Sequence, residues 1–187
     1  MDEIASAAEI RPIGPDELAD VRSLHSTSFG RLAAQSFTDE EIAAFTTHVY
    51  SFGYTELLSE AIRRQQLLGA RFGGELVGTA GWSAGDGNLS AARIRWVYVQ
   101  PLFAGVGLGT KLVEAAEAGA SRAGFRMLSL EATANAVEFF AGLGYETSSH
   151  GVRSLAPGRG LPVTYMRKQL GADPASPMAR DETADRH

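Results

Sequence analysis

Apolar residues in the first third of the chain recur every three or four positions, which is the spacing of helices that bury one face. Residues 10–13 form a short apolar run that predicts a strand, and Pro15 stands where a first helix would begin. Thr38 and Glu41 form a capping-box pattern, which predicts a second helix directly after Thr38. With a third helix predicted over residues 55–64, this region reads as a strand followed by three helices.

The rest of the chain alternates between strand-like and helix-like patterns. Residues 67–72 and 75–82 predict two strands, and Gly73-Gly74 between them tolerates the positive φ of a tight hairpin turn. Thr133 is expected to cap a short helix, which Gly144 ends. The other predicted elements are a loop at residues 86–90, strands at 92–99 and 126–131, a helix at 107–123, the short helix up to residue 143, and closing strands at 145–152 and 162–170.

The order of these elements predicts an α+β fold, because strands and helices alternate less regularly than in a doubly wound fold. The chain has 187 residues, 44% of them hydrophobic, which is enough for one well-packed domain. Residues 1–9 and 171–187 are small, polar and without apolar periodicity. We therefore expect two flexible ends around a single domain at residues 10–170.

Composition and charge exclude several classes of function. Seventeen Lys and Arg against 22 Asp and Glu give a net charge of −5, which does not favour nucleic acid or an anionic membrane. The chain has no cysteine, which removes disulfides, thiolate zinc sites and cysteine nucleophiles. Its four histidines lack metal-ligand spacing, so no metal is expected. No apolar run approaches a membrane span and the N-terminus is acidic, so we expect a cytoplasmic protein.

The stretch at residues 97–119 carries the clearest chemical signal. A predicted strand ends at Pro101, a short loop follows, and Gly105, Gly107 and Gly109 alternate into a helix. Because these glycines lack Cβ atoms, an anion can approach the main-chain N–H groups, and the helix N-terminus adds about half a positive charge. The pattern predicts a site for a pyrophosphate.

Two common phosphate-binding loops have a different spacing of their key residues. A Walker loop needs Gly-Lys followed by Ser or Thr, whereas this chain has Gly109-Thr110-Lys111-Leu112. A dinucleotide fingerprint counted from Gly105 needs glycine at its sixth position, where Thr110 stands. A glycine-rich turn that only allows a helix and a strand to pack remains an alternative.

Two blocks of sequence resemble the GNAT acyltransferase superfamily. Residues 99–109 (VQPLFAGVGLG) are similar to its acyl-CoA motif. Residues 128–145 resemble its next signature, which is a strand, a small helix with an aromatic pair, and a Gly-aromatic pair. Residues 165–168 (YMRK) resemble its last strand, so the resemblance covers about residues 10–170.

The resemblance implies a mixed, mostly antiparallel sheet flanked by helices on both faces. It also implies an N-acetyltransferase that transfers an acetyl group from acetyl-CoA, its co-substrate, to a primary amine by direct attack. The CoA pyrophosphate would bind the N–H groups of the glycine loop, and the pantetheine arm would lie along residues 97–99 like an added strand. A main-chain N–H near Val99 would polarise the thioester carbonyl. The cofactor-binding residues implied in this way are Val97, Tyr98, Val99, Ala104, Gly105, Val106, Gly107, Leu108, Gly109, Thr110, Asn135 and Phe140.

Two positions depart from the family pattern. Ala104 stands where the family usually has Arg or Gln, so one side-chain contact to phosphate is missing. Phe140 stands where many members have a tyrosine that protonates the leaving thiolate, and a phenyl ring donates no proton. Water or Tyr145 could take over this task, and a CoA thiolate is a fairly good leaving group without it.

Glu131 is the candidate general base, because it ends a predicted strand and matches a catalytic glutamate of some family members. A purely structural hydrogen bond near Thr133 would account for a carboxylate at this position equally well. Asn135 could bind CoA or face solvent. Trp96 and Tyr98 could line the substrate side, and some aromatic residues of the early helices, Phe29 and Phe45 among them, could wall an acceptor pocket.

The sequence leaves the acceptor amine and the acyl-chain preference open. A non-catalytic CoA-binding or sensing domain, or a protein-interaction domain on the same fold, is the alternative function. The oligomeric state is also open, and a homodimer is compatible with the sequence.

Overall fold

The structure is a computed structural model and describes residues 7–32, 34–85 and 91–171. The predicted loop at residues 86–90 and most of the two predicted flexible ends lie outside these residues. The strands are β1 (Glu9–Pro12), β2 (Leu67–Phe72), β3 (Glu75–Ala84), β4 (Ala91–Val99), β5 (Met127–Ala132), β6 (Glu146–Ala156) and β7 (Arg159–Gln169). The α-helices are α1 (Leu18–Leu32), α2 (Asp39–Val49), α3 (Phe52–Arg63), α4 (Leu108–Arg122) and α5 (Val137–Gly142).

The seven strands form one sheet in the order β1-β2-β3-β4-β5-β7-β6. Every pair of neighbours in this sheet is antiparallel except β4 and β5, which run parallel. The prediction of a mixed, mostly antiparallel α+β sheet is therefore confirmed. The single parallel pair is the place where the chain crosses over through α4.

Two hydrophobic clusters cover the sheet. The first joins α4 and α5 to the central strands through side chains such as Leu112 and Leu128. The second joins α1, α2 and α3 to the sheet through side chains such as Phe45 and Leu58. The sheet thus lies between two sets of helices, in the way a twisted sheet buries both of its faces.

The local signals for α2 and for the β2–β3 hairpin are confirmed. The Thr38 side chain accepts a hydrogen bond from the main-chain N–H of Glu41, and the Glu41 carboxylate accepts one from the N–H of Thr38. Gly73 and Gly74 form the turn between β2 and β3 with φ of 59° and 88°. Such values are accessible to glycine without strain.

Several boundaries differ from the prediction. The third helix begins at Phe52, because Ser51 caps it by accepting from the N–H of Tyr54. The Thr133 side chain makes no capping hydrogen bond, and a 3-10 turn at Ala134–Ala136 precedes α5. The last two strands extend into one long hairpin, since Gly158, with φ of 71°, closes a tight turn between them.

Candidate active site

Strands β4 and β5 pair over only three residues and then separate. Their parallel register joins Ala91 to Met127, Ala92 to Leu128, and Arg93 to Ser129, and it ends there. Beyond Arg93, β4 continues beside β3, and β5 continues beside β7. The gap opens a cleft in the middle of the sheet, and the edge of β4 that faces it has no strand partner among the described residues.

A bulge at Trp96 bends β4 where it borders this cleft. Trp96 has φ of 56°, an uncommon value for a residue with a side chain. The register shifts at the same place, because Gly81 pairs with Arg95 whereas Thr79 pairs with Tyr98. In a regular strand, residues two apart point to the same face, but here the bulge places them on opposite faces. Ile94 packs in the first cluster and Trp96 in the second.

A buried chain of hydrogen bonds supports the bulge. The Thr79 hydroxyl donates to the Trp96 carbonyl at 2.7 Å. His25 Nε2 lies 2.8 Å from the Thr79 hydroxyl, and His25 Nδ1 lies 2.8 Å from the Tyr54 hydroxyl. The chain of bonds therefore runs from the Trp96 carbonyl of β4 through Thr79 of β3 and His25 of α1 to Tyr54 of α3.

The direction of these hydrogen bonds follows from their last acceptor. A carbonyl only accepts, so Thr79 donates its proton to Trp96 and must accept from His25 Nε2. Burial lowers the pKa of His25 from 6.5 to about 3, which keeps the ring neutral. Neutral His25 therefore carries its proton on Nε2 and accepts at Nδ1 from Tyr54. Burial also raises the pKa of Tyr98, whose ring lies 4.3 Å from that of His25 between centroids.

The larger cavity of the cleft has a volume of about 700 Å³. It lies between the C-terminal part of β4, the glycine loop, the end of α1 and the start of α5. Most of its wall is apolar or main chain, as is usual for sites that bind organic ligands. Its lining residues are Ser28, Phe29, Leu32, Val97, Tyr98, Val99, Phe103, Ala104, Gly105, Gly107, Gly109, Thr110, Thr133, Asn135, Ala136, Phe139 and Phe140.

The glycine loop presents main-chain donors to this cavity. Gly105 and Gly107 have φ of 76° and 85°, and Gly107 is the N-cap of α4. Within the described part of the chain, the N–H groups of residues 105–110 have no main-chain acceptor outside α4 itself. Gly109 also has a packing role, because a Cβ there would lie 3.3 Å from the Phe139 ring. It allows α4 and α5 to pack closely.

Two polar side chains of α1 and the loop before α5 also border the larger cavity. The Ser28 hydroxyl is buried and has no hydrogen-bond partner among the described residues. The Asn135 side chain donates to the carbonyl of Leu32 at 3.4 Å, which joins the loop to the end of α1. Asn135 is exposed, so its amide lies at the rim of the cavity.

A smaller cavity of about 100 Å³ lies on the other side of β4. It shares an inner wall with the larger one, formed by Phe29, Val97, Tyr98, Thr133, Ala136 and Phe140. The other lining residues are Phe45, Arg93, Ile94, Arg95, Trp96, Leu130, Glu131, Arg153 and Leu161. The two cavities therefore meet beside the bulge and between the separated strands.

Glu131 lies in this smaller cavity, between two arginines. Its Oε1 is 3.4 Å from a terminal nitrogen of Arg93, and its Oε2 is 3.7 Å from Nε of Arg153. Its side chain is 19% exposed. The carboxylate is thus held in place from β4 and from β6 while part of it stays accessible.

Comparison with known families gives the context of this cleft. Residues 33–170 match the model of the acetyltransferase (GNAT) domain. The chain belongs to the GNAT acetyltransferase family. No curated protein matches it in sequence.

Solved GNAT structures share the fold. A GCN5-related N-acetyltransferase from Rhodopseudomonas palustris is 28% identical with a TM-score of 0.73, over 88% of this chain and 96% of that one. The PaiA N-acetyltransferase of Thermoplasma acidophilum, in complex with coenzyme A, is 20% identical with a TM-score of 0.70, over 87% and 99%. YncA of Salmonella typhimurium, with its cofactor acetyl-CoA, is 20% identical with a TM-score of 0.64, over 92% and 99%.

Most residues that the GNAT resemblance implied for CoA binding line the larger cavity. Val106 and Leu108 do not line it. Leu108 is fully buried in the first cluster and Val106 packs against that cluster, so their side chains serve the core. Only the main chain of these two residues is available to a ligand at the loop.

Phe140 and Tyr145 have different environments in this GNAT domain. Phe140 is 5% exposed and borders both cavities. Tyr145 is buried and borders neither, and its hydroxyl donates to Glu117 at 2.8 Å. Lys168 completes this group with a 2.7 Å contact to the same carboxylate. Burial and Glu117 raise the pKa of Tyr145, so the idea that Tyr145 replaces the missing tyrosine acid is wrong.

Several residues that line the larger cavity were not predicted from the sequence. Ser28, Leu32, Phe103 and Phe139 border the larger cavity without any local motif that marks them. Their places depend on how α1 and α5 cross the sheet, which no short pattern encodes.

Among the described residues, no helix is both long and apolar enough to span a membrane. These residues also contain no cluster of three or more His, Asp or Glu side chains suited to a metal ion.

Proposed function

We propose that this chain transfers an acetyl group from acetyl-CoA to a primary amine by direct attack. The observation that carries the proposal is the pair of cavities that meet at the bulge of β4. One has a loop of main-chain donors, and the other contains a carboxylate. A donor and an acceptor that enter from opposite sides would meet at this shared wall.

The larger cavity fits acetyl-CoA in three respects. The N–H groups of residues 105–110 and the N-terminus of α4 suit a pyrophosphate. The edge of β4 beyond Arg93 that faces the cleft suits the amides of the pantetheine arm, which would bind like an added strand. The buried Ser28 hydroxyl needs a partner that a polar ligand would supply. Ala104 offers no side-chain contact, so the main chain carries phosphate binding.

The reaction requires the chain mainly to position acetyl-CoA and the amine. Acetyl-CoA supplies an activated thioester: the amine nitrogen bonds to the acetyl carbon, the carbon–sulfur bond breaks, and CoA leaves with the sulfur electrons. A main-chain N–H of β4 near Val99 would stabilise the negative charge that develops on the carbonyl oxygen. The hydrogen-bonded support from Thr79 and His25 keeps this part of β4 in place.

Glu131 is the residue we assign as general base. It lies in the smaller cavity, where an acceptor amine would approach the shared wall. The ion pairs with Arg93 and Arg153 fix the direction of the carboxylate. It would take a proton from the attacking ammonium, directly or through one water molecule.

The leaving thiolate takes its proton from solvent in the proposed reaction. Phe140 has no acidic group, and the Tyr145 hydroxyl is committed to Glu117.

Ten residues remain our proposed contacts for CoA. Tyr98 and Phe140 lie at the shared wall, and the others are Val97, Val99, Ala104, Gly105, Gly107, Gly109, Thr110 and Asn135.

A non-catalytic CoA-binding domain is the second candidate, and Phe140 is the observation that favours it. Turnover separates the two functions. We expect free thiol to form from acetyl-CoA in the presence of a suitable amine. Binding of acetyl-CoA without amine-dependent thiol release across a broad panel of amines would favour the second candidate.

A further inference from the structure

Three arginines and one carboxylate line the smaller cavity. Arg93 and Arg95 reach it from β4, Arg153 reaches it from β6, and Glu131 supplies the one carboxylate among the lining residues. The single carboxylate is shared between Arg93 and Arg153.

Arg153 is the least satisfied of these cations among the described residues. Its Nε lies 3.7 Å from Glu131, which is longer than a hydrogen bond, and its guanidinium makes no hydrogen bond within the described residues. The side chain is 26% exposed, so water has limited access to its five donors. The ion pair with Glu131 thus leaves the donors of this partly buried guanidinium without hydrogen bonds, and a further anion would supply them.

Arg95, from β4, borders the same cavity as Arg153. Its guanidinium lies 5.0 Å from the centre of the Trp96 ring, a stacking contact that limits its orientation. The positive charges of Arg95 and Arg153 both add to burial in lowering the pKa of His48. Arg95 and Arg153 come from different strands and line one small cavity, an arrangement that suits a carboxylate.

The arginines do not line the wall where the thioester would be attacked. The arginines and Glu131 border only the smaller cavity, whereas the wall shared with the larger cavity is mostly apolar. An acceptor in the smaller cavity would thus place one end against the arginines and the other at the thioester. The volume of about 100 Å³ limits that acceptor to a small molecule.

We propose that the acceptor is a small amine that carries a carboxylate, with the carboxylate bound by Arg153 and Arg95 and the amine directed to the shared wall. This inference rests on the proposed acetyl transfer and specifies its substrate class. A cationic wall repels an amine that has no anionic group, and it favours the uncharged, nucleophilic form of the amine that does bind. The carboxylate offsets the repulsion.

The test compares matched pairs of acceptors with wild-type protein and saturating acetyl-CoA. Each pair is an amino acid and its amide: glycine with glycinamide, and β-alanine with its amide. We expect kcat/KM from thiol release to be at least about tenfold higher for the acid, the factor that one charge-assisted hydrogen bond provides. Equal or higher values for the amides would overturn the proposal, as would a clear preference for aminomethylphosphonate over glycine.

Variants assign the effect to Arg153. Arg153→Gln should reduce the acid-to-amide ratio by about tenfold or more, and because the ratio compares two acceptors in one variant, a general effect on Glu131 cancels. Arg159→Gln, which changes an exposed arginine paired with Glu40, should leave the ratio unchanged. An unchanged ratio in folded Arg153→Gln would contradict the proposal. If that variant does not fold, the wild-type ratios alone decide.

The proposed function and this inference can fail separately. If no amine releases thiol, acetyl transfer fails, and the same pairs are then compared by their effect on the melting temperature of the CoA-saturated protein. Stabilisation by the acids and not by the amides would still support a carboxylate site. Equal stabilisation, or none by either, would overturn it.

Discussion

The hydroxyl of Thr79 donates a 2.7 Å hydrogen bond to the carbonyl of Trp96, the residue at which β4 bulges. Thr79 is fully buried, and His25 bonds to it from the other side. The Trp96 carbonyl, which the bulge turns away from the regular hydrogen bonds of the sheet, thus has a donor in Thr79. This contact links the shape of the cleft to a polar network in the core.

Replacing Thr79 with valine should therefore be strongly destabilising. Thr79→Val keeps the shape of the side chain but leaves the Trp96 carbonyl and the His25 donor unpaired, which costs on the order of 2 kcal/mol or more. The free energy of unfolding in urea measures the loss. Thr47→Val is the matched control, because Thr47 is exposed and bonds only within α2. Equal stability of the two variants would contradict the role of Thr79.

The buried neutral His25 predicts a loss of stability in mild acid. Its pKa is about 3 in the folded state and 6.5 when unfolded, so only the unfolded chain binds the proton between these values. The stability that neutral His25 contributes is fully present above pH 6.5. As the pH decreases below that value, the free energy of unfolding falls by about 1.4 kcal/mol per pH unit. Urea unfolding between about pH 7 and about pH 5 measures the slope.

Variants at two histidines identify the source of this slope. His25→Gln should flatten it, while part remains because burial also lowers the pKa of His48. His48→Gln removes this second group and should flatten the slope in the same direction. A slope that is the same in His25→Gln and wild type would show that His25 is not the group responsible.

Restoring the missing phenol tests the assignment of thiolate protonation to solvent. Phe140→Tyr should bind acetyl-CoA within a few fold of wild type and should raise kcat or leave it unchanged, because solvent already supplies the proton. Phe125→Tyr adds the same hydroxyl far from both cavities and serves as the control. A hundredfold loss of kcat in Phe140→Tyr with normal binding would instead indicate a steric task for the Phe140 ring.

Glu131→Gln tests the general base. We expect kcat to fall by about 10² to 10⁴, with acetyl-CoA binding nearly unchanged, because the amide keeps the volume but cannot accept the proton. Glu40→Gln is the control, since it removes a carboxylate whose ion pair with Arg159 is exposed. If Glu131→Gln melts at a clearly lower temperature yet keeps its activity per folded molecule, Glu131 is a structural partner of Arg93 and Arg153.

Local chemistry made much of the fold predictable. The capping pair Thr38 and Glu41 located the start of α2, and Gly73-Gly74 located the hairpin turn, because each signal acts within four residues. The glycine loop before α4 was recognisable for the same reason. The roles of its individual glycines were only partly predictable, since the need for Gly109 comes from Phe139 on another helix.

The interior of the site depends on contacts that the sequence does not display. Nothing around Trp96 marks a bulge, because no glycine stands there and the strain is compensated by Thr79 and His25 from other elements. Glu131 and Arg153 meet only because β5 and β6 both pair with β7. The arginine-rich wall of the smaller cavity was missed for this reason, whereas the carboxylate itself was found by motif.

The most direct test of acetyl transfer is amine-dependent thiol release from acetyl-CoA by three proteins: wild type, Gly107→Glu and Gly124→Glu. Both glycines have a positive φ and open space where a Cβ would lie, so the two variants carry a similar backbone strain. Only Gly107 borders the larger cavity. We predict that wild type and Gly124→Glu release thiol when an amine is present, while Gly107→Glu neither releases thiol nor is stabilised by acetyl-CoA. Wild-type protein that releases no thiol with any amine, or a Gly107→Glu variant as active as Gly124→Glu, would contradict acetyl transfer at this site.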